Sequence, residues 1–330
     1  MTPRGIICAG NWIVDIIHDI PTWPEKSELV VITEQSIGVG GGAANVAFNL
    51  AALGGDYPVQ ACGLLGQDDH GATVLELCEK AGLPTSHLRQ LPDAKTAHTH
   101  VMNVTGDCRT FFYFPGANDQ LDASSLPMAA ISAMKPRIFY LGYLNLLPLL
   151  DAPRADGRTG AADLLAVARK CGMMTCVDLV SSQNATYSET VFGTLPEIDW
   201  LFLNEVEATR ATRVQIQGET DRKNMDAAAA HLIEGGLQQG CVLHTPKLSL
   251  WKTANQTLWF DVPQIPKSQI VSHVGAGDAF AAGVIHGLHD AWTPKKCIAL
   301  GNKLAAACLR TPTATGGTPT LAHLQQPKDG

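Results

Sequence analysis

The sequence predicts an α/β protein, and three observations favour that class. Glycine, alanine, valine and leucine dominate while aromatic residues make up only 6% of the chain, which suits layers of helix and sheet better than an all-β sandwich. Short apolar runs indicate buried strands and alternate with stretches of helical spacing. With 330 residues and 45% hydrophobic content, the chain can bury a large core, in one large domain or two smaller ones.

Charge and cysteine usage narrow the possible partners and location. A formal net charge of −7 argues against nucleic acid or acidic membrane surfaces as partners, although a local field can still hold a nucleotide. The nine cysteines are scattered, odd in number and form no C-x-x-C pair, which is typical of reduced thiols in a cytoplasmic chain. Asn11 and Asp15 interrupt the apolar run near the start, and we predict neither a signal peptide nor a transmembrane span.

The first half of the chain supplies strands, two helices and a hairpin. The patterns predict a buried strand at 6–9, short strands at 28–37, a helix after the glycine run 38–45, a strand at 59–65 and a helix to about 82. Two strand-like runs, 96–104 and 109–114, flank Thr105-Gly106-Asp107, which is a hairpin signal. Aromatic residues at 111–114 fall on both faces of the second run, so this hairpin needs two packing partners.

The second half of the chain predicts a mostly parallel sheet. Strands at 137–141 and 174–178 are separated by a helix at 161–170, which indicates parallel neighbours. The polar segment 151–158, rich in Pro and Gly, is predicted as a surface loop. The remaining elements are strands at 200–203 and 241–244, an edge hairpin from 248–252 and 258–262, a helix after the turn 274–277 and a helix at 293–309.

The turn Val274-Gly275-Ala276-Gly277-Asp278 carries the clearest chemistry. It opens a buried helix, and the first N–H groups of a helix bind a phosphate through backbone alone. Gly275 and Gly277 lack Cβ atoms and therefore let a phosphate approach closely. A carboxylate in a first turn usually caps the helix, but beside an anion hole it weakens phosphate binding. Asp278 therefore makes better sense as a base that takes a proton from an attacking hydroxyl.

The glycine run at 38–45 allows two interpretations. Gly38, Gly40 and Ala43 satisfy a loose G-x-G-x-x-A dinucleotide fingerprint, which would predict a dehydrogenase. No acidic residue ends an obvious second strand about 20 positions later, so this fingerprint is weak. Alternatively, glycines next to Asn45 make room for a hydroxylated substrate against the backbone, and Asn45 can both donate and accept hydrogen bonds to it.

The ordered motifs resemble the PfkB, or ribokinase-like, family of carbohydrate and nucleoside kinases. The resemblance spans the chain through Gly10-Asn11 with Asp15, Gly41-Gly42 with Asn45, Asn204 with Glu207, and Gly275 to Asp278. It implies one three-layer α/β/α domain over 1–330 with a mostly parallel central sheet. It also implies a small β-sheet lid from about 28–37 and 96–114, which in many members clasps the lid of a second subunit and so implies a homodimer.

The resemblance also implies roles for individual residues. Asp278 is the catalytic base, and the anion hole is formed by Gly275, Ala276 and Gly277. The implied substrate-binding residues are Asn11, Asp15, Gly41, Gly42 and Asn45. The implied cofactors are ATP and Mg²⁺, and the residues for them are Asn204, Glu207, Gly277 and Asn302, of which Asn204 and Glu207 organise magnesium through water.

Two segments depart from the family pattern. Ser272-His273-Val274 replaces the usual Asp-Thr-Thr, which in many relatives helps to hold a monovalent cation, so dependence on potassium stays open. The segment 244–249 lacks both glycines that usually wrap the nucleotide, so nucleotide preference is less defined than phosphoryl-transfer geometry. Hypotheses that remain are a kinase for a sugar or sugar-like molecule, a nucleoside kinase, and a non-catalytic sugar or nucleoside sensor. Arg109 could supply a single contact to an acidic substrate.

Overall fold

The computed structural model describes residues 5–104 and 109–325. Its strands are, in chain order, β1 (Ile6–Gly10), β2 (Ile13–Ile20), β3 (Glu34–Gly40), β4 (Val59–Gly66), β5 (His87–Leu91), β6 (His98–Val104), β7 (Thr110–Phe114), β8 (Ile138–Leu144), β9 (Met174–Leu179), β10 (Trp200–Asn204), β11 (Gly240–His244), β12 (Leu248–Thr253) and β13 (Gln256–Asp261). Its α-helices are α1 (Gly42–Leu53), α2 (Asp69–Lys80), α3 (Met128–Ala133), α4 (Pro148–Asp151), α5 (Gly160–Lys170), α6 (Tyr187–Thr194), α7 (Glu205–Thr212), α8 (Arg222–Glu234), α9 (Ala276–His289), α10 (Pro294–Cys308) and α11 (Leu321–Gln325).

A nine-stranded sheet forms the centre, in the order β13-β12-β11-β10-β9-β8-β1-β4-β5. In this spatial order, every pair of neighbouring strands between β11 and β5 is parallel. The predicted hairpin β12–β13 adds antiparallel strands at one edge. The central strands are buried along most of their length, and large apolar clusters lie on both faces of the sheet. This burial on both faces explains why these strands are continuous apolar runs in the sequence.

A separate four-stranded sheet has the order β3-β2-β6-β7. It confirms the predicted strands at 96–104 and 109–114, whereas Thr105-Gly106-Asp107 lies outside the described residues. The prediction for 28–37 is only partly right, because β3 begins at Glu34 and residues 28–33 are in no strand. Their Leu, Val and Ile content suits a strand, but β propensity produces one only where a neighbouring edge accepts it. The strand β2, which carries Asp15, was not predicted.

The helix α9 is the most deeply placed helix and was predicted from the turn before it. All of its residues from Asp278 to His289 are buried, and it packs between α1 and α10. A Cβ atom at Gly283 would lie 2.7 Å from the Cα atom of Gly301 on α10, so the two helices approach at backbone distance. Within the described ranges, the helices are all too short or too polar to cross a bilayer.

Candidate active site

Polar side chains collect at the carboxyl ends of the central parallel strands, where open α/β sheets bind their ligands. Asn204 and His244 end the paired strands β10 and β11 in register, and Asp178 lies near the end of β9. Tyr143 lies near the end of β8. The amino end of α9 brings Asp278 to the same region, because its carboxylate bonds directly to Tyr143.

Two donors hold the carboxylate of Asp278. The Tyr143 hydroxyl lies 2.9 Å from Oδ1 and 2.8 Å from Oδ2, and the Asn45 side-chain amide donates to Oδ2 at 2.9 Å. Asp278 is only 6% exposed. Burial raises the pKa of this carboxyl to about 6, against the lowering effect of the Asn45 and Tyr143 hydrogen bonds. The carboxylate is therefore oriented by two elements, α1 and β8, and the two hydrogen bonds favour its ionised form.

The backbone before Asp278 leaves amide donors available. Gly275 precedes the helix in the left-handed region, with φ of 78°. The first hydrogen bond closed by the helix runs from the Ala279 N–H to the Gly275 carbonyl at 2.9 Å. Among the described residues, the amides of Ala276 and Gly277 make no hydrogen bond, so an anion could accept from them.

Tyr143 was missed in the sequence, and Asn11 explains how it is placed. Asn11 Oδ1 accepts from the Tyr143 N–H at 2.5 Å, and Asn11 Nδ2 donates to the Leu146 carbonyl at 3.2 Å. Asn11 is fully buried, so the geometry supports a positioning role for it, and direct substrate contact stays a prediction. The only sequence signal for Tyr143 was its place at the carboxyl end of a predicted strand.

The two glycines predicted to line the substrate site have a packing reason as well. Gly41 has a φ of 89°, and a Cβ atom there would lie 2.6 Å from the Asn11 carbonyl oxygen. A Cβ atom at Gly42 would lie 2.8 Å from the Tyr143 ring. Both glycines therefore let the start of α1 approach the residues that hold Asp278, and substrate contact by either stays a prediction.

Asp15 lies on β2 and faces the same site. Burial raises the pKa of its carboxyl to about 6, while the Thr99 hydrogen bond and the charge of Arg109 act in the opposite direction. The negative charge of Asp15 in turn raises the pKa of Asp278. Arg109 Nε donates to Asn103 at 3.2 Å, and its terminal nitrogens donate to the Pro312 carbonyl at 3.2 Å.

Asn204 and Glu207 form a capping box at the start of α7. Asn204 Oδ1 accepts from the Val206 and Glu207 amides at 2.9 Å, and Glu207 Oε2 accepts from the Asn204 N–H at 2.8 Å. Glu207 Oε1 also accepts from the Ser181 hydroxyl at 2.9 Å. Capping, the ordinary explanation of an N-x-x-E sequence, is therefore present here, and the predicted nucleotide role of both residues is additional to it.

Buried acidic groups near this helix start favour a cation. Burial raises the pKa of Glu207 to about 7. Burial, followed by the charges of Asp278 and Glu207, raises the pKa of Asp178 well above its usual range. Across the part of the chain that the structure describes, no three His, Cys, Asp or Glu side chains converge as a metal-ligand set. This donor set fits a hydrated Mg²⁺, which needs few protein oxygens, and does not fit an ion ligated entirely by protein.

Asn302 is the predicted residue with the least structural support. It lies on α10 with a half-buried side chain. Within residues 5–104 and 109–325, that side chain makes no hydrogen bond. Its contact with the nucleotide base stays a prediction.

Known proteins with a similar sequence or structure are consistent with this geometry. A model of the pfkB family of carbohydrate kinases matches residues 4–321. The chain is 23% identical over 309 residues to 2-dehydro-3-deoxygluconokinase of Bacillus subtilis, covering 91% of this chain and 89% of that protein. The solved ribokinase of Arabidopsis thaliana, complexed with ribose and ATP, superposes with a TM-score of 0.78 at 21% identity, covering 97% and 96% of the two chains. Since the family model covers nearly the entire sequence, the protein belongs to the pfkB family of carbohydrate kinases.

Proposed function

We propose that the protein transfers the γ-phosphoryl group of ATP to a hydroxyl of a small sugar or sugar-like molecule, with Asp278 as the general base. The observation that carries this proposal is the buried Asp278 carboxylate, fixed by Tyr143 and Asn45 beside amides with no partner at the start of α9. A base and an anion hole on one helical turn suit attack of a hydroxyl on a phosphoryl group.

An unpaired acceptor supports a hydroxylated substrate. The buried Oδ1 atom of Asn45 has no hydrogen-bond partner among the described residues, and a buried acceptor without a donor is costly. A substrate hydroxyl could donate to it while the Asn45 amide holds Asp278. Asp15 adds a second carboxylate toward which sugar hydroxyls can donate.

The proposed reaction needs little covalent chemistry from the protein. Asp278 takes the hydroxyl proton as the oxygen attacks the γ-phosphorus, the bond to the bridging oxygen breaks, and ADP leaves. The amides of Ala276 and Gly277 would donate hydrogen bonds to the oxygens of the transferred group as their negative charge grows. Bound Mg²⁺ would neutralise charge on the phosphates of ATP, and Asn204 and Glu207 would hold its water ligands.

Release of ADP from Mg-ATP tests this function against a panel of sugars and nucleosides, with and without potassium. We expect turnover with at least one sugar and a loss of about 10²- to 10⁴-fold in Asp278→Asn, the usual contribution of a positioned base. Calorimetry should find Mg-ATP binding largely intact in this variant. Near-native turnover of Asp278→Asn would show that it is not the base, and binding of ligands without turnover across the panel would indicate a sensor.

We also propose that the small sheet mediates a homodimer. Ile37, Phe112 and Phe114 are exposed apolar side chains. Strand register places them on one face, because Ile37 pairs with Ile16, Ile16 with His100, and His100 with Phe112. An exposed apolar face on a small sheet favours association with another surface, and a second copy of the chain is the partner that the family resemblance implies.

A further inference from the structure

Four histidines lie together where α2 packs against the small sheet. The Nε2 atom of His18 and the Nδ1 atom of His100 are 3.0 Å apart, and the two rings stack with their centroids 5.3 Å apart. The centroid of the His98 ring is 5.6 Å from that of His100 and 4.9 Å from that of His70, which is on α2. We call His18, His70, His98 and His100 the histidine cluster; the proposed phosphoryl transfer uses none of them.

The histidine cluster lies on the face of the small sheet that we propose as the dimer contact. Strand register pairs His98 with Phe114, and these two rings stack with their centroids 5.0 Å apart. His100 is two positions along β6 and pairs with Phe112 on the same face. His18 shares this face, because its ring bonds to His100. A second copy that covers Phe112 and Phe114 would therefore bury the histidine cluster more deeply.

The strands of the small sheet keep carboxylates away from this face. On the described strands, the other side chains of the face are apolar apart from Gln35 and Thr110, neither of which is charged. Asp15 and Asp19 of β2 point to the opposite face, where both charges act on Arg109. Positive charge on His18, His98 or His100 would therefore not be balanced by the sheet itself.

The start of α2 supplies one carboxylate, Asp68, next to His70. Against the effect of burial, hydrogen bonds from Thr96 and Gly71, and then the charge of His70, lower the pKa of Asp68. Its oxygens already accept from the Thr96 hydroxyl at 2.6 Å and from the amides of Gly71 and Thr96 at 2.9 and 3.0 Å. Asp69 in the same turn is exposed. Within residues 5–104 and 109–325, none of the four histidines forms an ion pair with a carboxylate.

The hydrogen bonds of the histidine cluster limit the charge that it can take up. The His98 Nδ1 atom donates to the Thr96 carbonyl at 3.1 Å, so Nε2 is the atom that can take up a proton. If His18 and His100 were both imidazolium ions, two N–H groups would face each other and their hydrogen bond would be lost. His18 is only 7% exposed, and its Nδ1 atom has no partner among the described residues. Burial, followed by the charges of His18, His98 and His70, lowers the pKa of His100.

We propose that the histidine cluster makes the association of two copies sensitive to pH, so that the dimer forms while the histidines are neutral and dissociates as they take up protons. This inference rests on the homodimer proposed for the small sheet. A two-fold interface brings the same surface of each copy together, so protonation places like charges on both sides of one contact. Covering the face also removes water from the rings, which disfavours their charged form further.

The expected pH dependence is opposite in sign to the effect of net charge. The chain has a formal net charge of −7 at pH 7 and a pI of about 5.8, so acidification reduces repulsion between whole copies and by itself would tighten association. The interface, in contrast, lowers the pKa of an imidazole relative to the monomer, so affinity is highest above the monomer pKa and is lost as pH falls through it. If one histidine in each copy is lowered by about one unit from about 6.5, the dimer Kd is about fivefold higher at about pH 6.2 than at about pH 7.5.

Sedimentation velocity of the full chain at these two pH values measures the dimer Kd. The test variant combines His98→Gln with His100→Gln, which keeps polar side chains on β6 and removes two titrating rings. His231→Gln is the matched control, because His231 also packs against a phenylalanine, Phe192 with centroids 4.9 Å apart, but lies on α8. We expect acidification to raise the Kd about fivefold in the unmodified protein and in the control. In the test variant the Kd should stay level or fall.

The outcomes separate the inference from the dimer on which it rests. A Kd that rises on acidification in the unmodified protein and the control alone supports the inference. An equal rise in all three proteins, or a Kd that falls in the unmodified protein, would overturn it and leave the dimer in place. A monomer at both pH values would overturn the proposed dimer together with it, while ADP release tests the kinase function separately. His70→Gln, outside the sheet, replaces the test variant if that protein loses its cooperative thermal transition or its dimer at about pH 7.5.

Discussion

Asp278 is subject to two opposing effects that together set its pKa. Burial and the charge of Asp15 raise the pKa, whereas hydrogen bonds from Asn45 and Tyr143 lower it. A buried carboxyl without these donors would remain protonated at a higher pH and could not accept a proton from substrate. The donors therefore favour the ionised form of a carboxyl whose charge burial disfavours.

Removing one donor tests this balance. In Tyr143→Phe the carboxylate loses a hydrogen bond to its charged form, so the pKa of Asp278 should rise by about one unit, the value of one charge-assisted hydrogen bond. The activity kcat/KM for sugar should decline as pH falls through about 6 in the unmodified protein, because the base becomes protonated. In the variant we expect the same decline at higher pH, measured by pH–rate profiles.

Tyr57→Phe is the matched control for that profile. Tyr57 is also a buried tyrosine, and its hydroxyl lies 2.8 Å from His286 Nδ1, two turns along α9 from Asp278. In Tyr57→Phe, kcat/KM should decline at the same pH as in the unmodified protein. If the decline of kcat/KM in Tyr143→Phe also stayed at the unmodified pH, another group would set the pH dependence.

At the start of α9, the two glycines before Asp278 have different structural roles. Gly275 adopts a left-handed conformation, and a side chain there would collide with Ala314. Gly277 is inside the first turn, and a Cβ atom there would meet nothing closer than 3.6 Å. The sequence could not separate these roles, because both positions read as glycines of one turn.

The alanine variants should therefore differ in kind. Gly277→Ala should keep the melting temperature, yet lower kcat/KM for ATP by about 10²-fold, comparable to the loss of one anion-hole donor, because the methyl group fills the phosphate space. Gly275→Ala should lower the free energy of unfolding by at least the 1–2 kcal/mol cost of the left-handed conformation. Calorimetric melting and steady-state kinetics on both variants give the comparison. Full activity in Gly277→Ala would place the transferred phosphate elsewhere.

Because α9 packs closely against α10, we predict that a glycine-to-alanine change at their contact destabilises the protein. Helix propensity alone would predict the opposite effect. Replacement of a helical glycine by alanine normally stabilises a helix by about 1 kcal/mol. At Gly283 the added methyl group would press on the Gly301 backbone, and overpacking of this kind costs about 1–3 kcal/mol. We expect Gly283→Ala to lower the free energy of unfolding in urea. A stabilised variant would show that the helices can separate without cost.

Sequence patterns located elements well where burial dominates. The central parallel strands and α9 were predicted because burial on all sides leaves an apolar signature. The strands β2 and β5 were missed, and residues 28–33 were wrongly assigned to a strand, because pairing at an edge depends on partners that local sequence does not contain. Tyr143 was missed for a similar reason, since its role depends on the long-range contact with Asp278.

At the scale of the molecule, both sheets contribute to one site. Asp15 comes from the small sheet, whereas Asp278, Asn45 and Tyr143 come from the helices and strands of the large one. Arg109 links the small sheet to the Pro312 carbonyl beyond α10. Under the proposed function, anything that fixes the small sheet, including a second subunit, would therefore affect the substrate end of the site.

Adjacent phenylalanines on β7 provide the final test of this arrangement. Phe111 and Phe112 are 51% and 53% exposed, but they point to opposite faces of the small sheet. Phe112 pairs across the face away from Asp15, whereas Phe111 shares the Asp15 face. We expect Phe112→Ser to convert a dimer to a monomer in analytical ultracentrifugation, because it removes apolar area from the proposed interface. Phe111→Ser should stay dimeric and raise the KM for sugar instead. A monomeric unmodified protein, or equal effects of both variants on association, would contradict an interface on this face.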